Sequence, residues 1–310
     1  MLMQAIDSYL QLRRAGGYQL RDTEVLLKEF ACFAAERGEI HIKADTAIAW
    51  AGRATSQQQR ARRLNNLILF ARYIRAEDAE HQLPPAGVFA HHVRSRRLPH
   101  IFAPTQIAAI LAEAKQLPPA GSLRPLTFYT LFGLVAACGL RISEALALQF
   151  DDIRPDGLYI RETKFRKSRL VPLHPTTEKQ LILYLDRRQQ LAPAETRVFI
   201  SLRSKPLHYA TVNETVLFLL RKLGVREGPG QPGPRLHDLR HTFASRALEN
   251  SPHEQSRITK HMLALSTYLG HARISDTYWY LQSTKHLMTD IADDCQAHLE
   301  GPRSVDNEDV

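Results

Sequence analysis

A stretch rich in proline and glycine at residues 80–104 divides this 310-residue chain into two regions. The stretch contains Pro84, Pro85, Gly87, Pro99 and Pro104. Because proline removes a backbone donor and both residue types interrupt regular elements, such stretches usually connect folded parts. A chain of this length also exceeds the usual size of a single domain. We therefore predict two domains, residues 1–96 and 97–285, followed by a tail at 286–310.

The first domain carries helical patterns throughout. We predict one helix that Asp22 caps and Gly38 ends, and a clearer one from Ser56 to about Glu77. The second helix has an apolar face made of Leu64, Leu67, Ile68, Ala71 and Ile74. Its other side carries Arg62, Asn65, Asn66, Arg72 and Tyr73. That mixture suits contact with nucleic acid, and an ordinary solvated surface accounts for it equally well.

The pattern changes in the second domain. Helices are predicted near residues 104–115 and 125–138, and helical patterns resume at Pro175. Between them, residues 158–160 and 170–173 have the character of short strands. The segment that divides the strands is basic and contains Lys164, Arg166, Lys167 and Arg169. We expect a mainly α fold with a small antiparallel β-sheet, in which a helical domain precedes an α+β domain.

The charge is unevenly distributed. The chain carries a net charge of +9 with a pI near 9.6. Counted along the sequence, residues 1–100 carry +5 and residues 101–285 carry +10, whereas residues 286–310 carry −6. A polyanion such as double-stranded DNA is the expected partner of the first two segments, and Arg94, Arg96 and Arg97 in the linker could follow its backbone. The acidic tail is expected to contact protein or solvent instead.

Several classes of protein are excluded by composition. No run of about 18 apolar residues is present, so a membrane span is not expected. The N-terminus does not have the pattern of a signal peptide. Three cysteines, at positions 32, 138 and 295, are too few and too scattered for a disulfide framework. The cysteine usage favours a reducing cytoplasm.

Four short motifs contain the residues best suited to chemistry. They are Cys138–Glu144 (CGLRISE), His237–His241 (HDLRH), Leu269–His271 (LGH) and Thr277–Leu281 (TYWYL). Each is weak alone, because a single arginine usually forms a salt bridge, here with Glu144 or Asp238, and a single histidine is usually structural. His237 and Arg240 lie one helical turn apart and could converge on one ligand.

Taken in order, with a lysine in the intervening β-hairpin, these motifs resemble the tyrosine recombinases of the lambda-integrase superfamily. The resemblance runs from about residue 101 to residue 282 and is nearest to integrases of transposons and related mobile elements. It implies a C-shaped clamp that closes on duplex DNA with specific recombination sites. Four protomers would act together, either as a homotetramer or mixed with related recombinases. The resemblance also implies a bacterial cytoplasmic protein associated with the nucleoid.

The resemblance also implies residue roles. Arg141 and Arg240 would bind the scissile phosphate, Lys164 would protonate the leaving oxygen, and Tyr280 would be the nucleophile. His237 and His271 would take the remaining polar positions, and no metal or other cofactor is implied. Guanidinium groups suit this task because they bind anionic oxygens bidentately. Lys167 competes with Lys164, because Thr163 stands where the family commonly has glycine. Residues 250–260 form an apparent insertion, and Tyr278 competes with Tyr280.

Two other functions remain open at this point. A type IB topoisomerase uses related chemistry without paired specific sites, and a non-catalytic DNA-binding factor could keep the same fold. The GLRISE and LGH strings favour the recombinase over the topoisomerase, and six intact candidate residues argue against a decayed enzyme. A zinc hydrolase is disfavoured, because the pair His237 and His241 has no convincing third ligand.

The charge distribution predicts a steep salt dependence of DNA binding. If both basic domains contact the backbone, the logarithm of the affinity should fall with the logarithm of salt concentration by about 0.9 per neutralised phosphate. Titration of a labelled duplex at several salt concentrations measures this slope. An affinity that stays flat from low to physiological salt would remove DNA as the principal ligand.

Overall fold

The computed structural model describes residues 2–89, 98–161, 168–228, 230–249, 255–271 and 275–281. The chain separates into two compact units, Met1–Arg96 and Arg97–Val310. Several predicted functional residues lie outside the described ranges, namely Arg94, Arg96, Arg97, Lys164, Arg166 and Lys167, as do the acidic tail and the first residues of the apparent insertion. None of the described helices is long and apolar enough to cross a membrane.

The described residues of the first unit, 2–89, form four helices. They are α1 (Leu2–Ala15), α2 (Arg21–Ala35), α3 (Ala44–Gly52) and α4 (Gln57–Ile74). Helix α4 begins where the sequence predicts, because the Ser56 hydroxyl accepts the Gln59 N–H at 3.2 Å and so caps the helix. The prediction that Asp22 caps α2 is wrong, since Arg21 begins the helix after Leu20, which has a left-handed backbone with φ of 47°.

Apolar faces of these four helices form one core. Its most buried members include Ile6, Leu27, Phe30, Leu67 and Phe70. Tyr73, expected on the polar side of α4, is half-buried instead, and its ring lies 5.2 Å from that of Tyr9. Tyrosine has an apolar ring as well as a polar hydroxyl, and at this position the ring packs against the core.

The second unit is built around a buried helix. Its helices are α5 (Pro104–Ala114), α6 (Leu123–Cys138), α7 (Ile142–Ala147), α8 (Pro175–Leu191), α9 (Tyr209–Lys222), α10 (His237–Glu249), α11 (Gln255–Leu269) and α12 (Ser275–Leu281), with a short 3₁₀ turn at Phe150–Asp152. Helix α6 is apolar on almost every side and packs against α5, α8 and α10. A helix without a polar face must be enclosed by others, and this one positions α10 within the unit.

A three-stranded antiparallel sheet follows α7. Its strands are β1 (Ile153–Arg154), β2 (Gly157–Ile160) and β3 (Arg169–Val171), in the order β1-β2-β3. Leu158 pairs with both Ile153 and Val171, and Ile160 pairs with Arg169. Strands β2 and β3 lie where the sequence predicts a hairpin, whereas the two-residue β1 is too short to leave a periodic signal.

Gly139 makes the sharp turn between α6 and α7 possible. Its φ is +59°, and its N–H donates to the Val135 carbonyl at 3.0 Å. A Cβ at this position would lie 2.3 Å from Cδ1 of Phe243 on α10. Glycine is therefore required here both by the left-handed backbone and by the close approach of α10.

We expect Gly139→Ala to lower the free energy of unfolding by about 2 kcal/mol or more, because conformational strain and overlap with Phe243 add. Gly224 is the matched control: its φ is +65°, yet nothing lies within 4 Å of a Cβ there. Gly224→Ala should cost only about 1 kcal/mol. Urea unfolding of both variants tests this difference. Equal losses would show that the Phe243 contact does not constrain the turn.

Candidate active site

The structure brings together the five predicted catalytic residues that it describes. Arg141 directly precedes α7, His237 and Arg240 lie on the first turn of α10, His271 follows α11, and Tyr280 lies on α12. All five belong to the second unit. The sixth, Lys164, lies outside the described residues, in the segment between β2 and β3.

Three successive carbonyls at the end of α11 each accept a guanidinium. The carbonyl of Tyr268 accepts from Arg169 at 2.6 Å, that of Leu269 from Arg240 at 2.7 Å, and that of Gly270 from Arg141 at 3.0 Å. The last carbonyls of a helix lack partners within the helix and lie at the negative end of its dipole. Cationic donors are therefore favoured at this end of α11.

Glu144 holds two of these arginines. Its carboxylate accepts from the Arg141 side chain at 2.7 Å and from the Arg141 backbone N–H at 2.9 Å. It also accepts two hydrogen bonds from Arg169, at 2.8 and 3.1 Å. Burial alone would raise the pKa of Glu144, but the hydrogen bonds and charge of Arg169, together with those of Arg141, hold it below its usual value. Glu144 is thus ionised at neutral pH.

Arg240 is almost completely enclosed, with 1% of its surface exposed. It donates to the carbonyls of Gly139 and Leu269 and approaches Nε2 of His271 at 3.2 Å. Burial lowers the pKa of Arg240 to about 10, and the nearby charge of Arg141 acts in the same direction. Arg240 therefore remains charged at neutral pH, at an electrostatic cost that an entering anion would relieve.

The balance of charge around these residues favours an anion. Three guanidinium charges, on Arg141, Arg169 and Arg240, meet the carboxylate charge of Glu144 in this network. Arg141 keeps 23% of its side chain exposed, and its two side-chain hydrogen bonds leave further N–H donors. An anionic oxygen approaching Arg141 would gain from both charge and hydrogen bonding.

Neighbouring groups define the tautomer of His271. Because a guanidinium only donates, Nε2 of His271 must accept from Arg240, and the ring proton lies on Nδ1. Nδ1 then donates to the Thr277 hydroxyl at 2.8 Å. Burial and the charges of Arg240 and Arg141 lower the pKa of His271 to about 4. His271 is consequently a neutral, oriented ring linked to the first turn of α12.

Two histidines of α10 lie one turn apart. The ring of His241 is 4.5 Å from that of His237 and 5.4 Å from that of Tyr280. Burial, and then the neighbouring His237 and Arg240, lower the pKa of His241 to about 3. The surrounding protein and the charge of Arg240 also lower the pKa of His237, but this side chain is exposed and water limits the shift.

Tyr280 is buried beside these groups, with 3% of its surface exposed. Its ring stacks on that of His271 at 6.0 Å with an interplanar angle of 12°. Burial raises the pKa of Tyr280, while the charge and hydrogen bond of Arg240 oppose that rise. The side chain of Tyr278 lies outside the described residues.

The described residues that the sequence predicts to bind DNA differ in their exposure and in their partners within the protein. Arg62 forms an ion pair with Asp22, and Asn66 hydrogen-bonds the Arg62 carbonyl and the Thr23 hydroxyl. Arg72 is exposed on α4. DNA contact by these three stays a prediction. Arg169 differs from them, because its side chain is 9% exposed and its guanidinium binds within the protein.

One group in the described part of the chain has the spacing of a metal site: His41, Asp78 and His81 in the first unit. Nδ1 of His81 accepts the Ile42 N–H at 3.0 Å, so neutral His81 carries its proton on Nε2, which lies 3.6 Å from Asp78. A histidine that binds a metal uses one unprotonated ring nitrogen for the metal and donates a hydrogen bond from the N–H of the other. In His81 the nitrogen facing Asp78 carries the proton, and the other nitrogen accepts. This arrangement fits a hydrogen-bonded cluster better than a metal centre.

Sequence reasoning missed three residues of the site. The motifs predict Glu144 only as a salt-bridge partner and His241 only as a weak candidate for a zinc ligand, and they predict no role for Thr277. A spacing of three residues does relate Glu144 to Arg141 and Thr277 to Tyr280, which is the spacing of one helical face. The placement of His241 against Tyr280 has no such local signal, because α10 and α12 meet only in the folded unit.

The phage integrase family model matches residues 101–286, which is more than half of the chain. The chain belongs to the phage integrase family of tyrosine recombinases. The recombinase is 38% identical over 295 residues to the integrase/recombinase y4rB of Sinorhizobium fredii, across 92% of this chain and 94% of that protein. It is 32% identical over 235 residues to tyrosine recombinase XerD of Chlamydia trachomatis, across 73% of this chain and 70% of that protein.

Solved structures share the fold of the recombinase. The Tn1549 transposon integrase in complex with transposon right end DNA has a TM-score of 0.64 at 16% identity, covering 96% of this chain and 99% of that chain. The XerH site-specific recombinase bound to palindromic difH substrate has a TM-score of 0.62 at 19% identity, covering 89% and 80%. The family resemblance and the mainly α fold with a small antiparallel sheet are confirmed.

Because burial lowers their pKa values, His241 and His271 should stay neutral in the DNA-free recombinase down to about pH 5. In the unfolded chain both should titrate near pH 6.5. The folded state then binds fewer protons, so stability is present above pH 6.5 and is lost as pH falls from there toward 4.

Imidazole NMR shifts followed from pH 8 to pH 4.5 test this expectation, with His241→Asn and His271→Asn assigning the signals. Midpoints near 6.5 for both rings would contradict the buried, guanidinium-facing environment described above.

Proposed function

We propose that this recombinase cleaves and rejoins DNA at specific sites of a mobile element through a 3′-phosphotyrosyl intermediate. The observation that carries the proposal is one cluster within a single chain, in which the buried Tyr280 and Arg240 both lie beside the half-buried His271. The excess of guanidinium charge around that cluster supports a phosphodiester as the substrate. This combination provides a nucleophile, an anion site and polar groups able to move a proton.

Arg141 and Arg240 bind the two non-bridging oxygens of the scissile phosphate in this proposal. Phosphate charge increases as the pentacoordinate transition state forms, so donors already fixed before the reaction stabilise it more than donors that must reorganise. The carbonyls of Gly139, Leu269 and Gly270 support such fixed positions. The phosphate would replace part of this internal hydrogen bonding, chiefly at the more exposed Arg141.

Tyr280 attacks the phosphorus atom through its hydroxyl oxygen. The new bond joins phosphorus to tyrosine, the bond to the 5′ oxygen breaks, and Lys164 gives that oxygen a proton. His237 accepts or positions the tyrosine proton, and His271 adds a hydrogen bond to the phosphate. Attack by a 5′-hydroxyl of another strand reverses these steps and restores Tyr280, so bond energy is conserved and no nucleotide is consumed.

The mobile-element role rests on the likeness to integrases. The transposon integrase with a similar fold was solved on transposon end DNA, and a lambda integrase with this fold was solved as a tetramer on a Holliday junction. We propose that the present chain likewise acts on double-stranded DNA as four protomers, with the 286–310 tail contacting a neighbouring protomer. We also propose that residues 1–96 bind DNA and residues 97–285 catalyse the reaction.

Tyr280→Phe removes one oxygen and keeps the ring volume, so it should abolish covalent capture of a nicked duplex while leaving DNA affinity within about twofold. Tyr278→Phe is the matched control and should still form the covalent complex. Side chains two positions apart on an ideal helix project about 200° apart, so two such residues are not expected to face the same phosphate. Denaturing gels measure the captured fraction, and a shift assay measures affinity.

Capture that persists in Tyr280→Phe, or that disappears only in Tyr278→Phe, would contradict the assignment of the nucleophile. Relaxation of supercoiled plasmid that lacks a recombination site, without strand exchange between two sites, would indicate topoisomerase activity instead.

A further inference from the structure

Arg169 occupies a central position in the network beside the proposed phosphate site. It lies on β3, at the base of the hairpin, and pairs across the sheet with Ile160. Its guanidinium uses Nε to reach the Tyr268 carbonyl and both terminal nitrogens to reach the Glu144 carboxylate. One side chain thus connects the sheet, the residue that orients Arg141, and the end of α11.

The turn after α11 is shaped around this guanidinium. Gly270 has a φ of +64°, and a Cβ there would lie 2.7 Å from a terminal nitrogen of Arg169 and 3.5 Å from one of Arg141. The glycine of the LGH motif therefore leaves space for two arginine side chains. Its carbonyl binds Arg141, so the same residue limits how both guanidiniums can lie.

The contacts of Arg169 fit a role within the protein better than contact with DNA. All three guanidinium nitrogens of Arg169 donate to protein oxygens, two of them to the Glu144 carboxylate, and its side chain is 9% exposed. Arg240 donates to backbone carbonyls instead, and Arg141 keeps 23% of its side chain exposed, so these two retain charge or donors for an anion. The arginine fork meets the carboxylate bidentately, a geometry that lysine cannot reproduce. The side chain therefore fixes the direction of the Glu144 carboxylate, and Glu144 in turn fixes Arg141.

We propose that Arg169 is a positioning residue for DNA cleavage, acting through Glu144 on Arg141 and joining the hairpin base to the end of α11. The inference rests on the proposed function, because it concerns the rate at which the same site cleaves DNA. It replaces the expectation that Arg169 contacts the DNA backbone. Arg169 touches neither substrate nor nucleophile in this role.

The test uses the full-length protein and a nicked duplex carrying the sequence that the wild-type protein selects from a random DNA pool. Arg169→Gln should lower the rate of covalent capture at saturating protein by about tenfold or more, the scale of coupling within one hydrogen-bonded network. DNA affinity and its salt slope should stay as in wild type. Arg154→Gln is the matched control, since Arg154 lies in the same sheet, is exposed and stacks on Tyr159.

A double-mutant cycle separates positioning from general damage. In an Arg141→Lys background, Arg169→Gln should cost far less than in wild type, because the group through which it acts is already altered. Arg169→Lys, which keeps the charge but loses the fork, should capture at an intermediate rate and provides a second variant if the glutamine protein does not fold.

Three results would overturn the inference. A salt slope reduced by about 0.9 with an unchanged capture rate at saturation would make Arg169 a phosphate contact. If Arg169→Gln lowered the capture rate by the same factor in the wild-type and Arg141→Lys backgrounds, Arg169 would not act through Arg141. Capture by Arg169→Gln and Arg169→Lys at the wild-type rate would show no role in cleavage. If the wild-type protein itself captures no DNA, the proposed function fails, independently of Arg169.

Discussion

The hydrogen bonding at the C-terminal end of α11 is the constraint on which the site depends. Tyr268, Leu269 and Gly270 offer three carbonyls in succession, and each binds a guanidinium from a different part of the second unit. The arginines come from β3, from α10 and from the turn before α7. A helix end with unpartnered carbonyls thus becomes the point at which three remote segments converge.

This arrangement has an electrostatic consequence. Burial lowers the pKa of Arg240, and the charges of Arg141 and Arg169 lower it further, so bringing the three arginines together is unfavourable by itself. Glu144 and the backbone carbonyls offset part of that repulsion, but the balance of the network stays positive. In the proposed mechanism, a phosphodiester that enters would supply the missing negative charge, and the guanidiniums would need little rearrangement when charge increases in the transition state. The same positive charge and burial keep the neighbouring His271 neutral and able to accept a hydrogen bond.

Much of this was accessible from the sequence, because the relevant signals are local. The capped helix α4, the buried helix α6 and the strands β2 and β3 follow from periodicity and capping alone. The ordered motifs around Arg141, Arg240, His271 and Tyr280 were enough to identify the family. The turn at Gly139 explains why the GLRISE motif begins with glycine, because Phe243 occupies the space that a side chain at position 139 would need.

The features of the site that the sequence does not predict depend on contacts between segments far apart in the chain. The basic run around Arg169 predicts contact with DNA but gives no sign of its partners within the protein, Glu144 and the Tyr268 carbonyl, which lie 25 and 99 residues away. The position of His241 beside Tyr280 likewise requires α10 and α12 to pack together. Charge composition predicts that an arginine is present but does not predict which oxygen it binds.

In the proposed reaction, the hydroxyl oxygen of Tyr280, which is buried beside Arg240 and His271, forms the new bond to phosphorus. Peptide mapping by mass spectrometry of the covalent complex, trapped on a nicked duplex and digested with nuclease and protease, tests it most directly. The account predicts a nucleotide remnant attached through its 3′ phosphate to Tyr280. A remnant on Tyr278 or on any other side chain, or attachment through a 5′ phosphate, would contradict it.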